Sequence, residues 1–232
     1  MLKGKIKPVG EYTKEEQDTM YRLMAEFYDN TSESVFMKDF HDKDYCLALY
    51  HETDGIVGFT TQKVMSVDVN GSKIHGIFSG DTIIHKDYWG EIELFRTWAD
   101  FWFDYAEKYD AFYWFLICKG YKTYGMLPLF FQEFYPNYRK QTPAYEKSII
   151  DAYATALYGS EYNINNGVIE YRTVKDRLKD GVADIGSREL KNRDTAFFCQ
   201  VNPGYIYGND LACLAKLDRM GLKKHVEKML LQ

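Results

Sequence analysis

Cysteine and proline are scarce in this sequence. Its 232 residues include four cysteines and five prolines, and no two cysteines are separated by two residues. Zinc sites and disulfide frameworks rely on closely spaced cysteines. A lone cysteine among apolar residues, as in DYCLAL or FLICKG, behaves instead as a small hydrophobic residue. We therefore predict no disulfides and no metal centre.

Long apolar runs and clusters of basic residues are also absent. No stretch approaches the roughly 18 uninterrupted apolar residues of a membrane span, and the N-terminus MLKGKIKPVGEY lacks the apolar middle of a secretion signal. The net charge is −5 and the basic residues are scattered. A nucleic-acid-binding protein needs a clustered cationic face. We expect a cytoplasmic protein without a membrane span or a nucleic-acid partner.

Aromatic residues, by contrast, are abundant. Tyrosine occurs 20 times and phenylalanine 15 times, and aromatics make up 17% of the chain. Both side chains bury large areas at little entropic cost. The surplus indicates either a heavily aromatic core or an apolar cavity.

The order of secondary-structure elements can be predicted from periodicity. Apolar residues at helical spacing follow Thr13, a suitable N-cap, and a short helix is expected from residue 32. Residues 44–85 read as a three-stranded antiparallel meander, in which Asn70–Gly71 suits a type I′ turn. A wide apolar helical stripe over 91–110 and a buried strand over 111–119 then predict a crossover, so the last two strands should be parallel.

The second half of the chain is less regular. A helical stretch interrupted by Pro128 precedes a helix over 144–159. The polar, turn-rich segment of about residues 160–194 is predicted to be a surface excursion, and TAFFCQV with LACLAKL to form a C-terminal hairpin over about 195–217. A short helix should follow Met220. The length suits one domain spanning residues 1–232.

This order of elements resembles that of the GNAT acyltransferases, over roughly residues 5–135 and again at the final hairpin. The resemblance implies a mixed, mostly antiparallel α/β (α+β) fold with helices on both faces of the sheet and a parallel strand pair that splays apart. In that family the pantetheine of acyl-CoA lies between the splayed strands. Its pyrophosphate lies on the turn and helix N-terminus that follow, where the first amides have no internal partner.

The resemblance places the donor along the stretch FSGDTIIHKDYWG and the end of the parallel strand. It implies acyl-CoA or CoA as the donor substrate, or the phosphopantetheine of an acidic acyl carrier protein. The implied donor-binding residues are Ile83, Ile84, His85, Lys86, Tyr88, Trp89, Gly90, Lys119 and Lys122. The alternative for Lys119 and Lys122 is that they are simply solvated at the end of a strand.

The turn departs from the family pattern of Gln or Arg, two residues, Gly, one residue, then Gly or Ala. Here His85 begins the turn, Tyr88 stands at the first glycine and only Gly90 remains. Asp87 and the glutamates that follow add negative charge. An ordinary structural helix capped by Asp87 is therefore the alternative to a phosphate site.

Catalytic candidates lie on the same strand. Strict alternation would place four residues on one face: Ser79, Asp81, Ile83 and His85. If an acyl group passes to an amine, Asp81 or His85 could accept the ammonium proton, directly or through water. Backbone amides near Ile83 and Ile84 could hold the oxyanion. Alternatively, Asp81 is a hydrogen-bonded strand carboxylate that fixes a neighbouring loop.

The family's thiolate-protonating tyrosine has no direct equivalent. Phe131 stands at its position, and Tyr124 or Tyr135 could replace it, with simple packing as the alternative for both. The expected function is an N-acyltransferase acting on a small-molecule or peptide amine, and the aromatic surplus favours a long acyl chain or a bulky acceptor. The alternative is a catalytically inactive GNAT-like protein that binds a ligand or partner.

Overall fold

A computed structural model describes residues 1–230 of the chain. Within these residues the strands are β1 (Leu2–Pro8), β2 (Tyr28–Asp29), β3 (Tyr45–His51), β4 (Gly55–Val69), β5 (Ser72–Ile84), β6 (Phe112–Cys118), β7 (Tyr162–Asn163), β8 (Val168–Ile169), β9 (Arg177–Leu178) and β10 (Asp210–Lys216). The helices are α1 (Lys14–Phe27), α2 (Glu33–His41), α3 (Glu93–Ala106), α4 (Tyr121–Tyr124), α5 (Met126–Phe130), α6 (Ala144–Tyr158), α7 (Arg193–Val201) and α8 (Lys224–Leu230).

Eight of the described strands form one sheet in the order β1-β3-β4-β5-β6-β10-β8-β7. Strands β5 and β6 are parallel, because helix α3 carries the chain back across the sheet between them, and the other pairs are antiparallel. The mostly antiparallel sheet with one parallel pair is thus confirmed. The meander is confirmed as well, and at its second turn Asn70 and Gly71 have φ values of 51° and 80°, as a type I′ turn requires.

Helices cover both faces of the sheet. Strand β6 shows this most clearly, because its consecutive residues belong to different core clusters. Trp114 packs 4.7 Å, centroid to centroid, from Trp98 of α3, while Phe115 stacks on Tyr153 of α6 at 5.4 Å. Helices α1 and α2 pack beside α6 on the second face and bury Phe59 of β4. The high content of aromatic residues is thus explained largely by the core, in which many of them are buried.

The beginning of α1 follows the sequence prediction. Thr13 Oγ1 accepts a hydrogen bond from Glu16 N at 3.2 Å, and Glu16 Oε2 accepts one from Thr13 N at 2.8 Å. This reciprocal capping box satisfies two backbone donors that the helix itself leaves unpaired. It holds the helix whose C-terminal end, at Tyr28, enters the site described below.

The C-terminal hairpin prediction was wrong. TAFFCQV lies in helix α7, whose N-cap Asn192 accepts hydrogen bonds from the amides of Asp194 and Thr195. The following strand, β10, pairs with β6 instead of with this segment. The aromatic run favours a strand locally, but the cap and the burial of Phe198 in the main core favour the helix.

Two further features were not anticipated. Strand β1 precedes the first predicted helix and pairs with β3 at one edge of the sheet. The segment predicted as a surface excursion supplies β7 and β8 to the other edge, and it supplies β9, which pairs with β2 beside α1. This segment therefore reaches two distant parts of the fold.

Candidate functional site

The parallel pair β5–β6 comes apart near its end. Backbone pairing runs from His75–Phe112 to Ser79–Leu116 and stops there, although β5 continues to Ile84. Beyond Ser79, β5 is paired on its β4 side only among the described residues. The predicted splay is confirmed, and it leaves main-chain groups of β5 facing a gap.

A β-bulge lies at the start of this gap. Thr60 pairs with Thr82 and Gln62 with Ser79, so that the single residue Thr61 faces both Gly80 and Asp81. A bulge of this kind interrupts the alternation of side chains. It also explains why glycine precedes Asp81: a Cβ at Gly80 would lie 2.8 Å from Thr61 Oγ1.

The bulge corrects the predicted shared face. Ser79 Oγ accepts a hydrogen bond from Trp114 Nε1 at 2.8 Å on the α3 side of the sheet. Ile83, in contrast, packs with α1 and α2 on the opposite side. The prediction that Ser79 shares a face with Asp81 and Ile83 was therefore wrong, because it assumed an unbroken strand.

Two cavities meet at the gap. The first, here called the splay groove, has a volume of about 580 Å³ and follows Thr82, Ile83 and Ile84 towards the start of α3. The second, here called the inner pocket, has a volume of about 140 Å³ and contains Asp81 in its wall. Three residues line both cavities: Tyr28, Thr82 and Thr123. The groove and the pocket are therefore neighbours along these three residues.

The N-terminus of α3 opens onto the splay groove. Its N-cap is Ile92, which has no side-chain capping bond, and Gly90 before it adopts φ 96°. Asp87 lies in a separate 3-10 turn, so the alternative of a helix capped by Asp87 was wrong. The first amides of α3 are left available for an anion. The carboxylate of Glu93 lies 3.2 Å from Arg96, which offsets its charge.

The predicted donor-binding residues are divided among different places. Those lining the splay groove are Ile83, Ile84, Trp89, Gly90 and Lys122. His85 and Tyr88 line a separate surface cavity against α1, and Lys86 is exposed. Lys119 lines the inner pocket. Lys122 Nζ lies 3.9 Å from the centroid of the Trp89 ring and donates a hydrogen bond to Val182 O.

Asp81 is the carboxylate without an ion pair among the described residues of the inner pocket. Burial raises the pKa of Asp81 to about 7, and Asp39 and Asp176 add to this effect. The three neighbouring lysines are already matched to other carboxylates: Lys43 to Asp39 at 2.7 Å, Lys119 to Asp210 at 2.9 Å and Lys175 to Asp176 at 3.0 Å. A carboxyl group poised near neutral pH is suited to accept and release a proton.

The predicted catalytic tyrosines lie outside both cavities. Tyr124 is fully buried, and its hydroxyl donates to Pro136 O at 2.9 Å. The hydroxyl of Tyr135 lies 3.5 Å from Glu133. Phe131 packs against Trp114 in the core. The tyrosine that borders both cavities is Tyr28, which the helical spacing after Thr13 predicts only as a packing residue at the end of the first helix.

Sequence reasoning also missed residues from the excursion. Tyr171, Lys175 and Asp176 line the inner pocket, and Leu178 lines the groove. They are positioned by the β2–β9 pair, in which Tyr28 is opposite Leu178 and the Arg177 guanidinium lies 2.9 Å from Asp29. The contact joins positions about 150 residues apart, so local sequence signals could not reveal it.

Two kinds of feature are absent from residues 1–230. No helix in this part of the chain is both long and apolar enough to cross a membrane. Among the same residues, no group of three or more His, Cys, Asp or Glu side chains is arranged to hold a metal ion.

The strand order, the parallel pair that parts at a bulge and the uncapped helix after it decide the fold. The chain has a GNAT-like fold. No family model and no curated protein sequence matches this GNAT-fold chain. Similar solved structures include a probable N-acyltransferase of Enterococcus faecalis, with 17% identity and a TM-score of 0.43 over 58% of this chain and 33% of that one.

Two other solved structures are similar. NAA60 of Arabidopsis thaliana, solved with a bisubstrate analogue, has 8% identity and a TM-score of 0.40 over 60% of this chain and 91% of that one. The GNAT-family N-acetyltransferase YhbS of Escherichia coli, solved with CoA, has 13% identity and a TM-score of 0.36 over 51% of this chain and 64% of that one. The present chain thus matches about a third of the length of the Enterococcus protein and under two thirds of the Escherichia protein.

Proposed function

We propose that this protein transfers an acyl group from a CoA thioester to an amine. The observation that carries the proposal is the meeting of the two cavities at Tyr28, Thr82 and Thr123, next to the unpaired Asp81. A transferase must bring donor and acceptor together while keeping their bodies apart. A groove and a pocket that share these three lining residues are suited to this arrangement.

The donor is assigned to the splay groove. The slender arm of a thioester can pair with the open edge of β5 beyond Ser79, and its pyrophosphate can reach the uncapped amides at the start of α3. CoA is preferred to an acidic carrier protein because its few phosphates can contact the uncapped amides of α3, whereas a carrier would place a whole acidic surface against the exposed Asp87 and Glu91. A second acidic surface would be repelled there.

The chemistry follows from the junction. The amine nitrogen attacks the thioester carbon, a C–N bond forms and the C–S bond breaks. Asp81 accepts the proton lost by the ammonium group, while main-chain amides of the open edge near Ile83 and Ile84 stabilise the oxyanion. The hydroxyl of Tyr28 donates a proton to the departing thiolate. Asp81 releases the first ammonium proton to water, then accepts the second N–H proton after attack and passes it through water to Tyr28. The products are an amide and a free thiol.

Tyr28 suits the donor role because it stays protonated. Burial raises its pKa well above the ordinary value, and the nearby Asp81, Asp176 and Asp210 add to the effect. Its backbone is held by the pairing of β2 with Leu178 of β9, and its side chain borders both cavities. His85, in the separate cavity against α1, is the less favoured candidate for the base.

Removal of the Tyr28 hydroxyl is expected to slow turnover. In Tyr28→Phe the thiolate leaves without a proton, and we expect kcat to fall about a hundredfold, the lower end of acid–base contributions, because a thiolate is a good leaving group. Tyr124→Phe is the matched control, since the Tyr124 hydroxyl only holds Pro136 O. Thiol release measured for both variants decides the assignment. If Tyr124→Phe is slow and Tyr28→Phe is normal, Tyr28 is not the acid.

Donor binding is tested by thermal melting with CoA, acetyl-CoA and palmitoyl-CoA. A ligand at a hundred times its Kd stabilises the native state by about 2.7 kcal/mol, which corresponds to roughly 5–10 °C for a chain of this size. Glu91→Gln removes a negative charge at the assigned phosphate end and should increase the shift. Glu52→Gln, at an exposed site beside the N-terminus, should not change it. Absence of a shift with all three thioester-related ligands contradicts the proposal.

A catalytically inactive binding protein is the second candidate. The observation in its favour is the substituted turn, in which Tyr88 replaces a glycine and bonds to Asp54 instead of facing the groove. A melting shift with CoA, but no thiol release with any amine, would support this alternative over the transferase.

A further inference from the structure

We propose that the acceptor is a small monoamine with a single positive charge and an aromatic or apolar body. This inference rests on the proposed acyl transfer and specifies the substrate of the inner pocket. The supporting observations are the charge balance of the pocket, its aromatic walls and one buried carboxylate oxygen that lacks a partner.

The charge balance leaves one negative charge. The pocket and the side chains paired with it contain four carboxylates and three ammonium groups, and each ammonium group is within 3.0 Å of its own carboxylate. Asp81 is the fourth carboxylate. A single ammonium group neutralises it, whereas a second cation in the same pocket would find no free partner.

The ion pairs of Asp176 show that the neighbouring lysines are already neutralised by carboxylates of the protein. Burial alone would raise its pKa, yet Lys119 and Lys175 hold the pKa of Asp176 below its ordinary value. Lys119 is held in turn by Asp210 and by Gly208 O at 2.8 Å. A substrate carboxylate would therefore meet lysines that are already satisfied, next to four carboxylates. Amino acids should accordingly be poor acceptors.

The walls away from Asp81 are aromatic. The rings of Phe78 and Tyr158 form a T-shaped pair with centroids 6.4 Å apart, and Tyr158 forms another with Tyr171 at the same distance. Phe36 closes the pocket on the α2 side. Such walls favour a substrate with an apolar or aromatic body, because that body gives up few hydrogen bonds to water on entry.

One atom in the wall lacks a partner. Asp210 is 1% exposed, and its Oδ1 forms no hydrogen bond with any described residue, although Oδ2 is bonded to Lys119 and Tyr171. A buried acceptor left unpaired is costly. An N–H of the bound amine can satisfy it, which accounts for a second carboxylate near the acceptor without requiring a second positive charge.

A set of four amines separates these features. Phenethylamine has one charge and a ring, phenylalanine adds a carboxylate, putrescine adds a second cation and butylamine lacks the ring. With acetyl-CoA as donor, we expect phenethylamine to give the highest kcat/KM by thiol release, at least about tenfold above the others. Equal or better turnover of phenylalanine, putrescine or butylamine overturns the acceptor proposal and leaves the transferase intact. If no amine releases thiol, the proposed function fails and the acceptor proposal fails with it.

A charge variant tests the balance directly. Lys175→Met removes the nearer ammonium partner of Asp176. Asp176 then shares Lys119 with Asp210, so the pocket gains a second uncompensated negative charge. The ratio of kcat/KM for phenethylamine to kcat/KM for putrescine should then fall at least about fivefold, because a second cation now has a partner. Lys140→Met, which breaks an exposed pair with Glu133, is the control and should leave the ratio unchanged. An unchanged ratio in Lys175→Met, with the acetyl-CoA melting shift intact, overturns the charge argument.

Discussion

Replacing Asp81 with asparagine is expected to lower kcat/KM by about 10²–10⁴, the usual contribution of a general base. Asparagine retains the shape of the side chain in the bulge but cannot accept the ammonium proton. The melting shift with acetyl-CoA should persist, because the proposed donor site is the splay groove, which Asp81 does not line. Thiol release with phenethylamine measures the first effect and thermal melting the second. Wild-type turnover in Asp81→Asn would remove Asp81 from the mechanism.

The pH dependence of this residue adds a second readout. Asp81 acts as a base only when ionised, so kcat/KM should fall as the pH drops below about 7, the pKa that burial gives it. The stability effect has the opposite direction. Because the pKa is raised on folding, the native state binds a proton that the unfolded chain releases, and stability is lost as the pH rises through about 7. Asp81→Asn should therefore melt above wild type at pH 8, and the difference should shrink towards pH 5.

Gly76→Ala is expected to have the largest effect on stability. Gly76 lies in the paired half of β5, and a Cβ there would lie 2.3 Å from Tyr113 O and 2.8 Å from the Tyr153 hydroxyl. A backbone oxygen cannot move aside without separating β5 from β6. We expect a loss of about 3 kcal/mol, at the upper end of overpacking costs, and a fall in Tm of roughly 6–12 °C.

The matched control is Gly10→Ala. No atom lies within 4 Å of a Cβ at Gly10, so its Tm should stay close to that of wild type. If both variants melt alike, the close approach of β5 to Tyr113 is not a constraint on the fold. The comparison matters for function, because the paired half of β5–β6 determines where the open half begins.

The sequence was informative where local patterns are strong. The meander, the Asn70–Gly71 turn and the crossover through α3 each leave a short-range signature. Together they were sufficient to predict the parallel pair, and the resemblance to the GNAT acyltransferases implied its splay. Asp81 could be singled out because a carboxylate in a central strand conflicts with simple burial.

The parts of the site that the sequence did not predict depend on contacts between distant residues or on elements of only one or two residues. Alternation predicts that Ser79 shares a face of the sheet with Asp81 and Ile83. The bulge at Gly80 adds a single residue, so Ser79 lies on the opposite face from them. Strands β2 and β9 are two residues each, too short for any periodic pattern. Their pairing brings Tyr28 and Asp176 to the pocket, so the sequence did not indicate that either residue belongs to the site.

The separate linings of the two cavities bear on the kinetic order. Exposed residues around the inner pocket include Val35 and Asp39, whereas those around the groove include Glu91 and Leu129. Each proposed substrate would thus have its own entrance, and no cysteine lies in the described walls of either cavity to store an acyl group. Burial keeps the pKa of Cys118 far above its ordinary value, so its thiol remains an unreactive part of the core. Both reactants must be present at once, which gives intersecting rather than parallel lines in double-reciprocal plots.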